Sequence, residues 1–241
     1  MTYLSIVIPA YNEQHRLASS LTEILDFVER EQLAAEVLVV DDGSSDETSR
    51  IAEGSLAGRP GRVLRNSENS GKGFSVRRGV LEASGRWVLM TDSDLSTPIE
   101  EYSRLAAAAR DHDRDVVFGS RALPDSNVEI HQNWLRETMG KTFNLLIRML
   151  TGLRHKDTQC GFKLMDRTRV KPLFERMVID RFAFDVELLF LCDRFGLKVE
   201  EFPVTWRNAP QSRVSVLADP LNMLWDVIRV RWRFRRGLYN P

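Results

Sequence analysis

The second apolar run of the chain reads Glu36-Val37-Leu38-Val39-Val40-Asp41-Asp42-Gly43-Ser44. Four consecutive apolar side chains form a strand that is apolar on both faces, which is typical of a parallel sheet covered by helices on both sides. The polar residues that follow mark the end of this strand. The capping-box spacing from Ser44 to Glu47 predicts that a helix begins there. The stretch therefore predicts one β–α unit of a parallel sheet.

The same alternation of strand and helix extends to about residue 120. Apolar runs predict further strands at residues 4–9, 63–66, 87–91 and 115–120. Helical spacing, with Pro98 in the first turn of the last helix, predicts helices at residues 13–30, 75–83 and 98–110. The second half is less regular and predicts helices at 134–151, 167–176, 184–195 and 218–236, with a strand at 198–207. The pattern predicts an α/β fold with an open, mostly parallel central sheet flanked by helices.

Length and composition favour one large domain. The chain has 241 residues, 43% of them hydrophobic, and its 34 basic and 34 acidic residues cancel to a formal net charge of zero. This balance gives no reason to expect nucleic-acid binding. No basic leader precedes the strand at Leu4, and no apolar run reaches the roughly 18 residues that span a bilayer. We therefore expect a cytoplasmic protein, with Cys160 and Cys192 as free thiols.

Three of the predicted strands end in polar clusters. A single aspartate at a strand end is often only a turn or cap residue, but ligands of parallel α/β sheets sit beyond the carboxyl ends of the strands. Three clusters at one sheet edge therefore predict a binding site. The clusters are Pro9-Ala10-Tyr11-Asn12-Glu13, Asp41-Asp42-Gly43-Ser44 and Thr91-Asp92-Ser93-Asp94.

The pair Asp92 and Asp94 is the best candidate for a metal site. The two carboxylates are one residue apart and directly follow the apolar strand Trp87-Val88-Leu89-Met90. Mg²⁺ and Mn²⁺ prefer such oxygen ligands and keep positions open for diphosphate oxygens and water. The alternative is a solvated turn. We predict that Asp92 and Asp94 bind Mg²⁺ or Mn²⁺.

A glycine-rich segment and several arginines could contact phosphate groups. Asn69-Ser70-Gly71-Lys72-Gly73 is not a Walker A motif, because Gly73 rather than Ser or Thr follows Lys72. It could still face phosphate at a helix start, or form a plain turn. Guanidinium forks bind phosphate oxygens, and Arg121 follows a strand directly. The arginine candidates are Arg121, Arg136, Arg207 and Arg213.

These motifs together resemble the family 2 glycosyltransferases of the GT-A fold. The first-half motifs that carry the resemblance are Pro9–Glu13, Val39–Ser44, Gly71–Gly73 and Asp92–Asp94. The second half is similar to the dolichyl-phosphate β-glucosyltransferase branch, whose neighbours are the dolichyl-phosphate mannosyltransferases. The motifs there are Asp157-Thr158-Gln159-Cys160-Gly161-Phe162-Lys163-Leu164 and Phe182–Leu189. Eukaryotic members of that branch carry an N-terminal membrane helix, which we do not expect in this sequence.

The resemblance implies that different parts of the chain bind the nucleotide-sugar and the acceptor. It implies a glycosyltransferase domain over residues 1–215, with a nucleotide-sugar half at 1–120 and an acceptor half at 121–215, followed by a basic amphipathic helix at 216–241. The implied nucleotide-sugar contacts are Pro9, Ala10, Tyr11, Glu13, Val40, Asp42, Lys72, Asp92, Ser93, Asp94, Arg207 and Arg213. The implied acceptor-phosphate contacts are Arg121 and Arg136, and the catalytic candidates are Asp92, Asp94, Arg121, Arg136 and Asp157.

The reaction implied by the resemblance is transfer of glucose from UDP-glucose to a polyprenyl phosphate with inversion at the anomeric carbon. A phosphomonoester has a second pKa of about 6, so it is already nucleophilic at neutral pH and needs no obligatory base. Asp157 is the candidate if a base is required. A GDP-mannose-dependent mannosyltransferase, transfer to a soluble acceptor and a non-catalytic nucleotide-sugar-binding protein remain alternatives. A dehydrogenase is excluded because the turn after the first strand lacks Gly-x-Gly-x-x-Gly.

The C-terminal segment alternates large apolar side chains with arginines. Tryptophan and arginine together suit an anionic membrane surface. The alternative is a helix that packs on the core and has a solvated basic edge. We expect peripheral contact with a membrane, because a lipid acceptor must be reached. The residues are Leu221, Leu224, Trp225, Ile228, Arg229, Val230, Arg231, Trp232, Arg233, Phe234, Arg235 and Arg236.

Overall fold

The computed structural model describes residues 3–130, 134–207 and 218–240. Its strands, numbered in chain order, are β1 (Leu4–Ala10), β2 (Ala35–Asp41), β3 (Gly61–Arg65), β4 (Trp87–Met90), β5 (Val116–Ser120), β6 (Asn127–Ile130), β7 (Lys163–Asp166), β8 (Val199–Pro203) and β9 (Thr205–Arg207). Seven of them form one sheet in the order β3-β2-β1-β4-β7-β5-β8. The other two, β6 and β9, form a small parallel ribbon.

The central sheet is parallel except for β7. That strand pairs antiparallel with both β4 and β5, and every other neighbouring pair is parallel. The predicted mostly parallel sheet is therefore confirmed. The strands β6 and β7 were not predicted, because each is four residues long and carries a charged residue. The strand predicted at 198–207 is divided at Val204 into β8 and β9.

The helices occur where the sequence predicts them. The helix at 134–151 has the predicted bounds, and the others differ from the prediction at one end or both. They are α1 (Leu17–Arg30), α2 (Thr48–Leu56), α3 (Lys72–Glu82), α4 (Glu101–Asp111), α5 (Trp134–Thr151), α6 (Arg167–Phe174), α7 (Phe184–Arg194) and α8 (Ala218–Arg235). The predicted capping box is wrong: the Ser44 hydroxyl accepts from the Asn12 amide at 2.8 Å, and α2 begins only at Thr48. Pro98 lies before α4 rather than in its first turn.

Both faces of the sheet are buried, as the unbroken apolar runs predict. On one face Ile6 and Ile8 of β1 join a core formed with α1, α2 and α4. On the other face Val7 joins a core that contains residues of α3, α6, α7 and α8. The alternation follows from the two-residue period of a strand. Each fully buried aliphatic side chain contributes about 1.5–3 kcal/mol to the stability of the fold. The strand ends therefore belong to a stable, well-packed sheet.

The two cysteines lie in the core of the protein. Cys160 and Cys192 are both buried and unpaired, which confirms the expected free thiols. Among the described residues, no helix combines the length and apolar character that crossing a bilayer requires. The strand β7 of the second half lies between β4 and β5 of the first, so the two halves share one sheet. Their separate roles, and a domain end at residue 215, stay predictions.

Candidate active site

The structure brings the three polar strand ends together. Since β1 pairs in parallel with both β2 and β4, their carboxyl ends lie side by side. The Asp42 amide donates to the Ala10 carbonyl at 2.8 Å, and the Thr91 amide donates to the Val7 carbonyl at 3.1 Å. Pro9, Ala10 and Val40 are buried strand residues that support this edge. The half-buried Tyr11 directly follows β1.

Asp42 organises the glycine-rich loop beside this edge. Its buried carboxylate accepts from the Asn66 side-chain amide at 2.7 Å, the Ser70 amide at 3.0 Å and the Gly71 amide at 2.8 Å. These bonds fix the chain before α3. A carboxylate has about four acceptor positions, so a nucleotide hydroxyl can still be accommodated. A nucleotide contact of Asp42 therefore stays a prediction.

The glycines of this loop are required by close packing. Gly71 has φ of 103°, and a Cβ atom there would overlap the Asp180 carbonyl. A Cβ atom on Gly73 would overlap the Ile179 carbonyl. The segment from Val178 to Asp180 is held in turn by the buried Glu187, which accepts from the Val178 amide at 3.0 Å and the Ile179 amide at 2.9 Å. The sequence allowed two interpretations of this loop, a contact with phosphate or a plain turn. Close packing explains the glycines without a phosphate, as in a plain turn.

Lys72, the first residue of α3, is the residue of this loop that reaches the aspartate pair. Its Nζ lies 2.6 Å from Asp92 Oδ1. Burial lowers the pKa of Lys72, but Asp92 and the nearby Asp185 outweigh burial and raise it to about 12. Burial raises the pKa of Asp92, but Lys72 together with Lys163 and Arg121 outweighs burial and holds it below its ordinary value. Both groups are therefore charged at neutral pH.

Asp94 has a cationic neighbour of its own. Arg16 Nη1 lies 3.7 Å from Asp94 Oδ2, while Asp94 Oδ1 accepts from the Ser96 amide at 3.0 Å. Arg16 also donates through Nη2 to Glu13 Oε1 at 2.7 Å. Glu13 is thereby linked to the aspartate pair through a guanidinium. Ser93 between the aspartates is buried, and its carbonyl accepts from Ser20 at 2.8 Å.

The chemistry of the aspartate pair fits a divalent cation. Both carboxylates are partly exposed, and they are hard oxygen donors. In the part of the chain that the structure describes, no third histidine, cysteine or carboxylate joins them in a cluster of three. An ion held by two carboxylates takes its remaining ligands from water and from substrate phosphate oxygens, as Mg²⁺ usually does. Asp92 and Asp94 are thus suited to bind an ion together with a diphosphate.

The unpredicted strand β7 brings Gly161 against Asp92. Met90 pairs with Lys163 in the antiparallel register, so the chain before β7 runs beside the chain after β4. A Cβ atom on Gly161 would overlap the Asp92 carboxylate. With the Asp92 carboxylate in its place beside Lys72, there is no room for a side chain at this position. Gly161 lies within the Asp157–Leu164 motif but was not among the predicted site residues.

Arg121 and Asp157 form a pair on the other side of β7. Arg121 donates from Nε to Asp157 Oδ2 at 2.7 Å, from Nη2 to Oδ1 at 2.9 Å and from its amide to Oδ2 at 3.0 Å. Burial raises the pKa of Asp157, but Arg121 outweighs burial and holds it below its usual range. The Arg121 guanidinium also lies over the Trp206 ring at 5.4 Å and is partly exposed. A fixed, partly exposed guanidinium is suited to bind an anion.

A buried ion pair supports both parts of the site. Lys163 Nζ lies 2.7 Å from Asp185 Oδ1, with both side chains buried, and also donates to the Cys160 carbonyl. This second contact fixes the turn that precedes Gly161. Neither residue was singled out from the sequence, although each is a charged residue flanked by apolar ones within a recognised motif. Arg16 was also missed, and its only local signal is the three-residue spacing from Glu13.

Of the predicted arginines, Arg207 is not brought to the aspartates. The Arg207 amide donates to the Ser96 carbonyl at 2.7 Å, but its exposed guanidinium pairs with Glu129 at 2.6 Å. Among the described residues, Arg207 forms no ion pair with Asp92 or Asp94. Arg136 lies on α5, but its side chain is outside the described residues, and so is all of Arg213.

Comparisons with known proteins agree with this geometry. The model of the glycosyl transferase family 2 matches residues 5–174. The dolichyl-phosphate β-glucosyltransferase of Dictyostelium discoideum is 32% identical over 250 residues, covering 99% of this chain and 76% of that protein. The enzyme of the same name from Drosophila melanogaster is 35% identical, covering 98% and 77%. That from Homo sapiens is 31% identical, with the same coverage.

Solved structures share the fold at lower identity. Mannosyl-3-phosphoglycerate synthase from Rubrobacter xylanophilus superposes with a TM-score of 0.70 at 22% identity, covering 98% of this chain and 74% of that one. Glucosyl-3-phosphoglycerate synthase from Mycobacterium tuberculosis, in complex with Mn²⁺ and UDP-glucose, has a TM-score of 0.67 at 20% identity, covering 95% and 78%. These likenesses confirm the predicted GT-A fold.

Proposed function

Because the chain belongs to the family 2 glycosyltransferases, we propose that it transfers glucose from UDP-glucose to a polyprenyl phosphate of the dolichyl type. The relatives that it matches over nearly its whole length are dolichyl-phosphate β-glucosyltransferases. One observation carries the proposal: Asp92 and Arg121 lie on opposite sides of β7, beside the same turn at Gly161. A site for a donor diphosphate therefore adjoins a site for an acceptor phosphate.

The donor side is built around the aspartate pair. Asp92 and Asp94 would hold Mg²⁺ or Mn²⁺, which stabilises the negative charge of the departing nucleoside diphosphate when it is bound. The Mycobacterium tuberculosis neighbour contains Mn²⁺ together with UDP-glucose. Lys72 lies beside Asp92 with its pKa raised, so it stays cationic and can contact a diphosphate oxygen. Glu13 and Asp42 lie at the neighbouring strand ends, where the nucleoside would bind.

The acceptor side supplies an anchored cation instead of a base. A phosphomonoester dianion is nucleophilic at neutral pH, so its requirements are position and relief from charge repulsion. Arg121 meets both requirements. Both oxygens of Asp157 are occupied by Arg121, and its pKa is low, so Asp157 is a weak proton acceptor. We therefore assign Asp157 to positioning Arg121.

The reaction is a single displacement at the anomeric carbon. An acceptor phosphate oxygen forms the new bond to that carbon as the bond to the diphosphate oxygen breaks, and UDP leaves with the electron pair. The positive charge that develops on the sugar is typical of glycosyl transfer. Attack from the face opposite the leaving group inverts the anomeric configuration. No proton has to be removed from the acceptor.

Nucleotide release from purified protein tests the proposal. UDP-glucose and GDP-mannose are supplied separately with a polyprenyl phosphate, with Mg²⁺, with Mn²⁺ or with EDTA. We expect acceptor-dependent UDP release that EDTA abolishes. The Asp92→Asn/Asp94→Asn variant should lose at least about a thousandfold in turnover, because a preorganised charge at the leaving group is removed. Asp26→Asn, an exposed aspartate on α1, is the matched control and should be unchanged.

The two donors separate the alternatives. GDP release in place of UDP release would keep the mechanism and identify a mannosyltransferase. Nucleotide binding without release from either donor would contradict catalysis on this acceptor and favour a nucleotide-sugar-binding protein. Release that depends on a soluble phosphate acceptor but not on a polyprenyl phosphate would contradict the lipid acceptor.

A further inference from the structure

The helix α8 has apolar side chains on two opposite faces. One face, with Met223, Val227 and Val230, is buried in the core. The other face exposes four large apolar side chains, each between 43% and 72% accessible, at spacings of four, three and four residues. Such spacing puts them in a single stripe along the helix. The stripe consists of Leu221, Trp225, Ile228 and Trp232.

The neighbouring helix α5 also has exposed apolar side chains on its outer face. Leu145 and Met149, four residues apart, are 52% and 66% exposed, whereas Ile147 between them is buried. Ile147 shares a small core with Val227 of α8, so the two helices pack against each other through their inner faces. Their outer faces therefore both present apolar side chains to the surroundings. An exposed apolar surface of this kind usually marks an interaction site.

The charges beside the stripe are mostly positive, with the half-buried Asp226 as the acidic neighbour of Arg229. Arg229, Arg235 and Arg236 are exposed, and the Arg236 guanidinium lies over the Trp232 ring at 5.4 Å. Among the described side chains of α8, the exposed charged residues are all arginines. Tryptophan with arginine is the composition of helices that lie in the interface of an anionic bilayer. A symmetric contact between two copies would bring these arginines together, which is unfavourable.

We propose that the outer face of α8, with the outer face of α5, docks on an anionic lipid bilayer. The inference deepens the proposed function, since it states how the enzyme meets its lipid acceptor. Tryptophan and aliphatic side chains would enter the level of the lipid headgroups, and the flanking arginines would pair with lipid phosphates. The helix would lie in the plane of the membrane, with its Met223 and Val227 face still packed on the protein.

The same two helices contact the segment that carries the acceptor side of the site. Met223 of α8 accepts from the Gln159 side-chain amide at 3.6 Å, and Asn144 of α5 accepts from the Thr158 hydroxyl at 3.3 Å. Asp157, which holds Arg121, adjoins both contacts in the chain. Met223 lies on the inner face of α8, so a bilayer against the outer face would lie one helix diameter, roughly 10 Å, from Gln159 and its neighbours in the chain. The polyprenyl chain would stay among the acyl chains.

Vesicle co-sedimentation without any acceptor tests the docking directly. We compare vesicles of phosphatidylcholine alone with vesicles that contain phosphatidylglycerol. Wild-type protein should bind the anionic vesicles, and more weakly as salt is added. Trp225→Gln/Trp232→Gln should bind at least about tenfold more weakly because apolar burial is lost. Arg229→Gln/Arg235→Gln/Arg236→Gln should lose about fivefold per arginine. Tyr3→Gln, which changes an exposed aromatic residue before β1, is the control and should bind as wild type.

Activity with two acceptors supplies the second readout. With a short isoprenyl phosphate in free solution, Trp225→Gln/Trp232→Gln should keep the wild-type turnover. With a long polyprenyl phosphate in anionic vesicles, the same variant should fall about tenfold, since fewer molecules reach the surface. If vesicle binding holds but no glucose is transferred, the proposed function fails and the docking surface stands. Unchanged vesicle binding by the tryptophan variant, or a dimer in solution that this variant dissociates, would overturn the docking proposal.

Discussion

Arg121 and Asp157 form the most completely hydrogen-bonded ion pair of the site. Three bonds, two from the guanidinium and one from the amide of Arg121, occupy both oxygens of the carboxylate. A carboxylate with a lowered pKa and occupied oxygens is a poor general base at neutral pH. Its evident role is to fix the direction of the guanidinium. The expected kinetic effect of Asp157 therefore differs from that of a base.

Substitution of Asp157 by Asn should act on the acceptor rather than on the chemical step. An amide offers one acceptor oxygen in place of two and carries no charge, so Arg121 loses its fixed direction. We expect KM for the polyprenyl phosphate to rise roughly 10- to 100-fold, since charged hydrogen bonds contribute about 1.5–3 kcal/mol each. The value of kcat at saturating acceptor should fall less than about tenfold. Initial rates against acceptor concentration measure both.

The matched control is Asp113→Asn, which breaks an exposed ion pair with Lys198 remote from the site in the chain. Exposed pairs contribute about 0–1 kcal/mol, so its kinetics should match wild type. A loss of several orders of magnitude in kcat for Asp157→Asn, with an unchanged KM, would instead identify Asp157 as a general base.

Among the elements, β7 determines how the two parts of the site meet. It runs antiparallel between β4 and β5, pairing Met90 with Lys163 on one side and Phe118 with Lys163 on the other. The turn before it therefore passes between the chain after β4, which carries Asp92, and the chain after β5, which carries Arg121. A shift of this turn should alter both parts of the site together.

Replacement of Gly161 by Ala should inactivate the enzyme while the protein stays folded. The new methyl group would overlap the Asp92 carboxylate and displace it from its place beside Lys72. We expect kcat/KM for the donor to fall at least about a hundredfold, since an error of about 1 Å in placement has that effect. Steady-state kinetics and circular dichroism measure the loss and the fold.

The matched control for this substitution is Gly54→Ala in α2. A Cβ atom at Gly54 would meet no other atom within 4 Å. Alanine there should raise the free energy of unfolding by about 0.5–1 kcal/mol and leave activity unchanged. If Gly161→Ala kept wild-type activity, the close packing against Asp92 would not matter for catalysis.

At the scale of the whole molecule, ionisable groups with lowered pKa values make the fold sensitive to acid. Burial lowers the pKa of His155, whose ring packs edge-on against Phe118 with centroids 5.1 Å apart. Asp92 and Asp157 also have lowered pKa values, because burial is outweighed in each by a neighbouring cation. In all three, the unfolded chain binds protons at a higher pH than the folded chain. The contribution of these three groups to stability therefore falls as pH falls, whereas the raised pKa values of Asp185 and Glu187 act in the opposite direction.

The histidine and the aspartates act in different pH ranges. The free energy of unfolding should begin to decrease as pH falls below about 6.5, where an ordinary histidine becomes protonated, and decrease more steeply below about 4. His155→Gln should remove the decrease between about pH 6.5 and 5 and leave the steeper one. Urea unfolding at a series of pH values measures this. An identical pH dependence in wild type and variant would contradict the role of His155.

The fold was more predictable than the details of the site. Unbroken apolar runs such as Val37–Val40 leave a parallel sheet as the simplest interpretation, and the strand ends then converge by topology alone. β7 was missed because it is short and contains a lysine, whose partner Asp185 lies 22 positions away in the chain. Arg16 and Gly161 were missed because each contacts Asp94 or Asp92, which lie far away in the sequence. Pairing across the fold, which local spacing does not record, gives them their roles.

The place of β7 in the sheet has a consequence for the growing chain on the ribosome. β1 to β4 can pair with one another as soon as they are made, but the partners of β5 among the described strands are β7 and β8, which are made later. Roughly forty residues must follow Ser120 before β7 begins, which takes several seconds of translation. During that time β5, five apolar or small residues long, has both edges unpaired, and such edges recruit other chains. Slow translation or a shortage of chaperones should therefore lower the yield of this protein by aggregation of nascent chains that end between β5 and β7.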